Sequence, residues 1–297
     1  MRAFRVAYDG RPYHGFQRQP DVPTVEDALF DACRALGVCD DDEEPTDYAA
    51  AGRTDAGVSA LAQTVAFECP DWCTPRALNS ELPGTVRAWA DADAPDDFHA
   101  RHRPTRREYV YDLHAPSDGF NDDRARDAFD ACRGEHDFHN LTPDAHGTAR
   151  AIDGDLTRDG DFLVVRVEAG GFARELVRRL VSLVRAVGSG AAPPSKVDDV
   201  LGPSHLAGPE GVPAAPPTPL LLTAVDYPNV EFDVDSMAAE STAAAFGEQA
   251  LADRIGWRVG SRIRNGVERA GDLSDGNADA AGENGGVGRS RGDARSQ

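Results

Sequence analysis

Residues 52–60 read Gly-Arg-Thr-Asp-Ala-Gly-Val-Ser-Ala, a short glycine-flanked loop set between two apolar runs of strand length, Tyr48–Ala51 and Gln63–Glu68. Glycines there permit positive φ and close backbone approach, which is what a loop that meets a ligand requires. Upstream, Phe4–Tyr8 alternates as a strand, and Asp9-Gly10 with Pro12 and Gly15 marks a turn. Thr24 with Asp27 three residues on is a helix-capping pair, after which Val25, Ala28, Leu29, Ala32, Cys33 and Leu36 fall on one face. That helix is expected to end near Gly37, and the acidic stretch Asp40–Glu44 is a loop. Strand, helix and strand around the loop make one α/β half-domain.

A second unit follows the polar connector Asp93–Asp97. Glu108–Leu113 and Phe162–Glu168 read as strands, and Asp122–Cys132 as a helix. The spacing predicts a helix over Phe172–Val187, with Phe172, Leu176, Leu180, Leu183 and Val187 as its apolar stripe. Arg174, Arg178 and Arg185 then lie within about 40° of one another on its other side. Ala191–Pro219 is a Pro/Gly-rich connector, and Leu220–Val225 a last strand. Strands and helices interleave without strict alternation, which indicates an α+β fold. The expected boundaries are 1–95 for the first half, 96–228 for the second, 229–270 for a helical extension drawn from Ser236–Arg269, and 271–297 for a disordered tail of Gly, Asp, Asn, Arg and Ser.

The 297 residues suffice for about two domains. No apolar run approaches the roughly 18 residues a membrane span needs, and Met1–Tyr8 lacks the apolar core of a secretory signal, so the expected location is cytoplasmic. Cys33, Cys39, Cys69, Cys73 and Cys132 are an odd set, which argues for reduced thiols over a disulfide framework. Cys69 and Cys73 have no spaced histidine pair to complete a zinc site. Acidic residues number 51 against 31 basic ones, a formal net charge of −20, and Lys196 is the single lysine. Near 1 M salt the Debye length is about 3 Å, so a carboxylate-covered surface suits a halophilic host. Charge alone argues against a polyanionic partner, and any nucleic-acid reading must come from particular residues.

Two features carry chemistry. In the 52–60 loop, Asp55 is a single carboxylate that can act as nucleophile or base, and Arg53 beside it is a guanidinium that can hold it ionised; the same two residues also make a structural ion pair. His99–Arg107 contributes Arg101, Arg103, Arg106 and Arg107 and runs directly into Tyr109 and Tyr111. Guanidiniums suit phosphates and a tyrosine ring can stack on a base. Such a run is equally a solvated loop neutralising nearby acids.

Taken together, GRTDAGVSA (Gly52–Ala60), YDGRPYHGFQRQ (Tyr8–Gln19), DDFHARHRPTRREYVY (Asp96–Tyr111), GEHDFHN (Gly134–Asn140) and GFARELVRRLV (Gly171–Val181) resemble, in order, the tRNA pseudouridine synthase A family. The resemblance covers about residues 4–228. It implies the pseudouridine synthase fold, two ferredoxin-like (RRM-like) halves sharing a mixed, mainly antiparallel sheet with flanking helices, and a homodimer acting on tRNA. It also implies conversion of uridine to pseudouridine, in the anticodon arm at positions 38 to 40, with neither cofactor nor metal.

Position by position, the resemblance makes Asp55 the catalytic aspartate. Arg53 becomes the arginine that pairs with it and assists base extrusion, Tyr109 the aromatic that packs on the target uracil, and Arg178 a helix arginine that reaches the aspartate. Arg101, Arg106, Arg107 and Arg174 remain as RNA contacts. Glu175 and Arg179 replace the family's commoner His and Asn, and the segment PPTPLLL lacks the usual Glu-Gly-Leu ahead of the last strand. Two rivals stay open: a non-catalytic tRNA-binding relative of the same fold, and an unrelated hydrolase using Asp40–Asp42 as metal ligands.

Overall fold

A computed structural model describes residues 1–40, 43–95 and 97–280. Met1–Ala245 form one compact unit, and a second unit begins at Phe246. Each element begins where the local chemistry favours it. Helix α1 (Val25–Ala35) starts at Thr24, whose hydroxyl accepts from the Asp27 amide while the Asp27 carboxylate accepts from the Thr24 amide. Thr74 and Pro75 start α2 (Pro75–Glu81), and Asn121 caps α3 (Asp122–Asp130). Helix α4 spans Leu176–Gly188 and α5 Lys196–Leu201.

Among the described residues ten strands form one mixed sheet. They are β1 (Arg2–Tyr8), β2 (Ala49–Ala50), β3 (Ser59–Phe67), β4 (Val86–Asp93), β5 (Arg106–His114), β6 (Gly134–Asp137), β7 (Ala149–Asp159), β8 (Phe162–Ala169), β9 (Leu220–Asp226) and β10 (Asp233–Val234). Their order is β10-β4-β1-β3-β9-β5-β8-β7-β6, with β2 paired to β3. Every pairing is antiparallel except β3 with β9, which run parallel through Ser59↔Leu221 and Ala60↔Leu222. That short pairing joins two antiparallel blocks. One core packs α1 and α2 under β1, β3 and β4, with Phe4 stacked on Phe67 at 5.1 Å. The other packs α3 and α4 under β5, β7 and β8 around Leu163, Val165, Leu180 and Val184. Tyr109, opposite Leu222 in the β5/β9 register, touches both cores.

Several expectations shift. The helix expected from Phe172 starts at Leu176, because Glu175 sits at φ 60° in the left-handed region and cannot continue a right-handed helix backwards. Phe172 and Arg174 therefore lie outside it, and the three-arginine stripe is not formed. Strands β4, β6 and β7 and helix α2 had no strong signal. In β7 only Ile152 and Gly154 are buried, and Gly154 is there because a Cβ would lie 1.9 Å from the Arg166 carbonyl. The connector Ala191–Pro219 contains α5. Helix α6 (Ser236–Ala280) begins within the compact unit, where Ala238 and Thr242 are buried. It runs past Gly271, since elongation adds a hydrogen bond per residue without new nucleation. Residues 281–297 of the expected tail, and Asp41 and Asp42 of the acidic loop, lie outside the described residues. All five cysteines are unpaired, and no described helix is long and apolar enough to cross a membrane.

Candidate active site

The 52–58 loop enters from β2 and leaves into β3 at the end of the sheet where β3 meets β9, so its residues face the seam between the two cores. A buried polar set holds it from behind. The Tyr8 hydroxyl lies 2.8 Å from the Thr54 hydroxyl, and the Gln63 amide donates to the Gly52 carbonyl at 2.9 Å. Burial drives the Tyr8 phenol well above its ordinary range, so it serves only as a neutral partner. From the front, the Phe16 amide donates to the Thr54 carbonyl (3.1 Å) and the Gly57 amide to the Tyr13 carbonyl (3.3 Å). The Val58 amide closes a turn on the Asp55 carbonyl at 3.1 Å, with Gly57 at φ 80° in its third position.

Asp55 thus stands on a loop fixed on both sides. Its Oδ2 accepts from Arg178 Nη1 at 2.9 Å; the arginine side chain is 15 % exposed and the carboxylate 33 %. Arg178 is itself aimed, because its Nε donates to the Ala215 carbonyl at 2.7 Å and its own carbonyl accepts from the Ala215 amide at 3.1 Å. Tyr111 steadies the same segment by donating to the Pro216 carbonyl at 3.0 Å. The Pro-rich connector therefore braces Arg178 from behind without lining the cleft itself.

Asp55 opens onto a cleft of about 1150 Å³. Tyr109 lines it, edge-on to Phe172 with ring centres 5.3 Å apart. Burial pushes its phenol up to about 12, with Arg107 pulling down and Asp55 pushing up, so the ring presents a neutral face. Arg107 donates to the carbonyls of Gly170 (2.6 Å), Ala51 (2.6 Å) and Arg101 (3.0 Å), and burial lowers its pKa. Arg101 and Arg53 are exposed on the rim.

Two expected roles change. Arg53 makes no hydrogen bond or ion pair among the described residues; the partner of Asp55 is Arg178, which the alternative reading of the carryover already brought to the carboxylate. The charge of Arg53 acts instead on Glu26, opposing the upward push of burial there. Arg106 is absent from the cleft lining. It is spent on Asp226 (2.8 Å), Glu108 (2.8 Å) and Glu168 (2.5 Å), because adjacent residues of a strand point to opposite faces and Arg107 takes the cleft side. Arg174 lines the cleft from the turn before α4, 60 % exposed and 3.4 Å from Asp144. His14, His102, Arg150 and Phe172 also line the cleft and had not been singled out. His14, His102 and Phe172 lie within the quoted sequence blocks, while Arg150 carried no local signal.

One loop carboxylate aimed by a helix arginine thus lies in a cleft beside a neutral aromatic face, with Arg53 and Arg101 on its rim. The family model for tRNA pseudouridine synthase matches residues 128–228. A relative named tRNA pseudouridine synthase A from Haloarcula marismortui is 56 % identical over 275 residues, covering 90 % of this chain and all of the relative. One of the same name from Natronomonas pharaonis is 57 % identical over 256 residues, 85 % of this chain and 96 % of that one. A solved archaeal box H/ACA sRNP Nop10-Cbf5 complex contains a chain 18 % identical, with a TM-score of 0.31, over 62 % of this chain and 43 % of that one. The chain belongs to the tRNA pseudouridine synthase A family, and is thereby an isomerase.

Proposed function

We propose that this protein converts uridine to pseudouridine in tRNA, at positions 38 to 40 of the anticodon stem-loop, with Asp55 as the nucleophile. The observation that carries the reading is the Asp55–Arg178 pair at 2.9 Å, set at the base of a cleft that also presents Tyr109. The reaction breaks the N1–C1′ bond, turns the ring, joins C5 to C1′, and exchanges the proton released from C5 for one taken up at N1. No electron or group leaves the nucleotide. A guanidinium donating to Oδ2 orients the carboxylate and leaves its other oxygen for the substrate. Attack at the ring and attack at C1′ place the same oxygen against the same nucleotide.

A uridine in a stem must first leave the stack, at a few kcal/mol. Tyr109 supplies a face for the extruded base, and Arg53, without a carboxylate partner of its own, is free to occupy the space left behind. Arg101 and Arg107 present positive charge to the flanking phosphates. A pair of protomers would present this surface on two sides, and light scattering at working salt tests that arrangement.

A non-catalytic tRNA-binding relative would have no need of an aimed carboxylate, and the Asp55–Arg178 geometry weighs against it. The decisive experiment follows tritium released from C5 of labelled uridine in a tRNA transcript. Wild type releases it, and Asp55→Asn gives no release above background while still binding tRNA. Normal release by Asp55→Asn overturns the reading.

A further inference from the structure

The second unit carries a pattern that the site does not use. Residues 254–269 read Arg-Ile-Gly-Trp, Arg-Val-Gly-Ser, Arg-Ile-Arg-Asn, Gly-Val-Glu-Arg, a four-residue repeat of cation then aliphatic side chain on α6. Successive repeats advance about 6 Å along a helix and rotate about 40°, so each column forms a continuous slanting stripe. Arg254, Arg258 and Arg262 make one; Leu251, Ile255, Val259, Ile263 and Val267 make the neighbouring one. All five aliphatic residues are more than half exposed, and Trp257 is 71 % exposed. Among the described residues, Arg254, Arg258 and Arg262 make no hydrogen bond or ion pair.

The charge is out of character with the rest of the chain. The protein as a whole has 51 acidic against 31 basic residues, yet residues 254–269 hold five arginines and one carboxylate, Glu268. Elsewhere arginines commonly meet carboxylates, as Arg106 and Arg166 do with Glu108 and Glu168. A second copy of this chain presenting the same helix would bring arginine stripe against arginine stripe. A strand of phosphates would complement it.

We infer that α6, over residues 251–269, is a second RNA-binding surface that grips the tRNA backbone and sugars. The inference rests on the proposed function for the identity of the polyanion. Both stripes are needed in strong salt, where counterion release weakens and contacts other than charge must carry affinity. The arginines engage phosphates, while the neighbouring aliphatic stripe covers bases and ribose.

The test uses the full chain in two forms, R254Q/R258Q/R262Q and I255S/V259S, all exposed positions, with helix content checked by circular dichroism. Filter binding to a tRNA transcript is run at 1 M and 3 M KCl. The arginine variant is expected to raise Kd about tenfold at 1 M and less at 3 M, and the aliphatic variant about fivefold at both. Unchanged Kd in both variants overturns the inference. So does a wild-type oligomer that I255S/V259S converts to monomer with tRNA affinity intact, or flotation with anionic vesicles that only the variants lose. Weakened binding by the variants of a wild-type chain that forms no pseudouridine leaves the helix surface standing and removes the functional reading. Pseudouridine formation by wild type with unchanged Kd in the variants does the reverse.

Discussion

Arg178 does two things with one guanidinium, holding Asp55 through Nη1 and the Ala215 carbonyl through Nε. A lysine has the charge but a single nitrogen, and cannot span both. Arg178→Lys therefore loses one charge-assisted hydrogen bond, worth about 1.5–3 kcal/mol. Initial rates of tritium release are expected to fall about ten- to a hundredfold. Arg106 lies on the far face of β5, among Asp226, Glu108 and Glu168. Arg106→Gln is expected to lower the denaturation midpoint while leaving Kd for tRNA within twofold of wild type; a fall in affinity with unchanged stability would return Arg106 to the RNA surface.

The elements around the site were unevenly legible. The capping pair Thr24/Asp27 and the apolar face of α1 are local signals, and the helix forms where they predict. The period-two rule also separates Arg106 from Arg107, although four arginines in seven residues read as one cluster until the strand start is known. Glu175 is different. Nothing nearby announces a left-handed residue before Leu176, and its carboxylate is engaged by Arg179 at 2.7 Å, with Arg179 also donating to the Val212 carbonyl at 2.7 Å. Glu175 and Arg179, two of the residues that depart from the family pattern, are thus each other's partners, a relation that only the folded chain displays. The brace that Ala215 gives Arg178 was hidden for the same reason, since a Pro-rich stretch carries no periodicity.

Close approach at the loop has its own test. Gly10 is buried with its amide donating to Ser59 Oγ at 3.0 Å, and a Cβ there would lie 2.1 Å from the Val58 carbonyl oxygen. That neighbour is backbone and has nowhere to go without moving the turn that carries Asp55. Gly10→Ala is expected to destabilise by about 1–3 kcal/mol and to slow the reaction beyond what the unfolded fraction explains. Urea titration and initial rates measured together separate the two effects.

At the scale of the whole molecule, a net charge of −20 sets the terms on which a polyanion is bound. Dilution from 1 M to 0.1 M salt lengthens screening from about 3 Å to about 10 Å, so repulsion between tRNA and the acidic surface grows just as phosphate attraction does. Working salt suppresses both and leaves stacking. In high KCl, Tyr109→Ala is expected to weaken tRNA binding more than Arg101→Ala in a filter titration, and the opposite ranking rejects this assignment of affinity.

Arg107 ties the carbonyls of Ala51, Arg101 and Gly170 to a single side chain, and so stitches together three segments from both sides of the seam. A receptacle laced across its floor leaves the fitting to the RNA. On the proposed function, transcripts whose target uridine lies between weak base pairs are therefore expected to release tritium faster than those clamped by strong pairs, and equal initial rates would reject this.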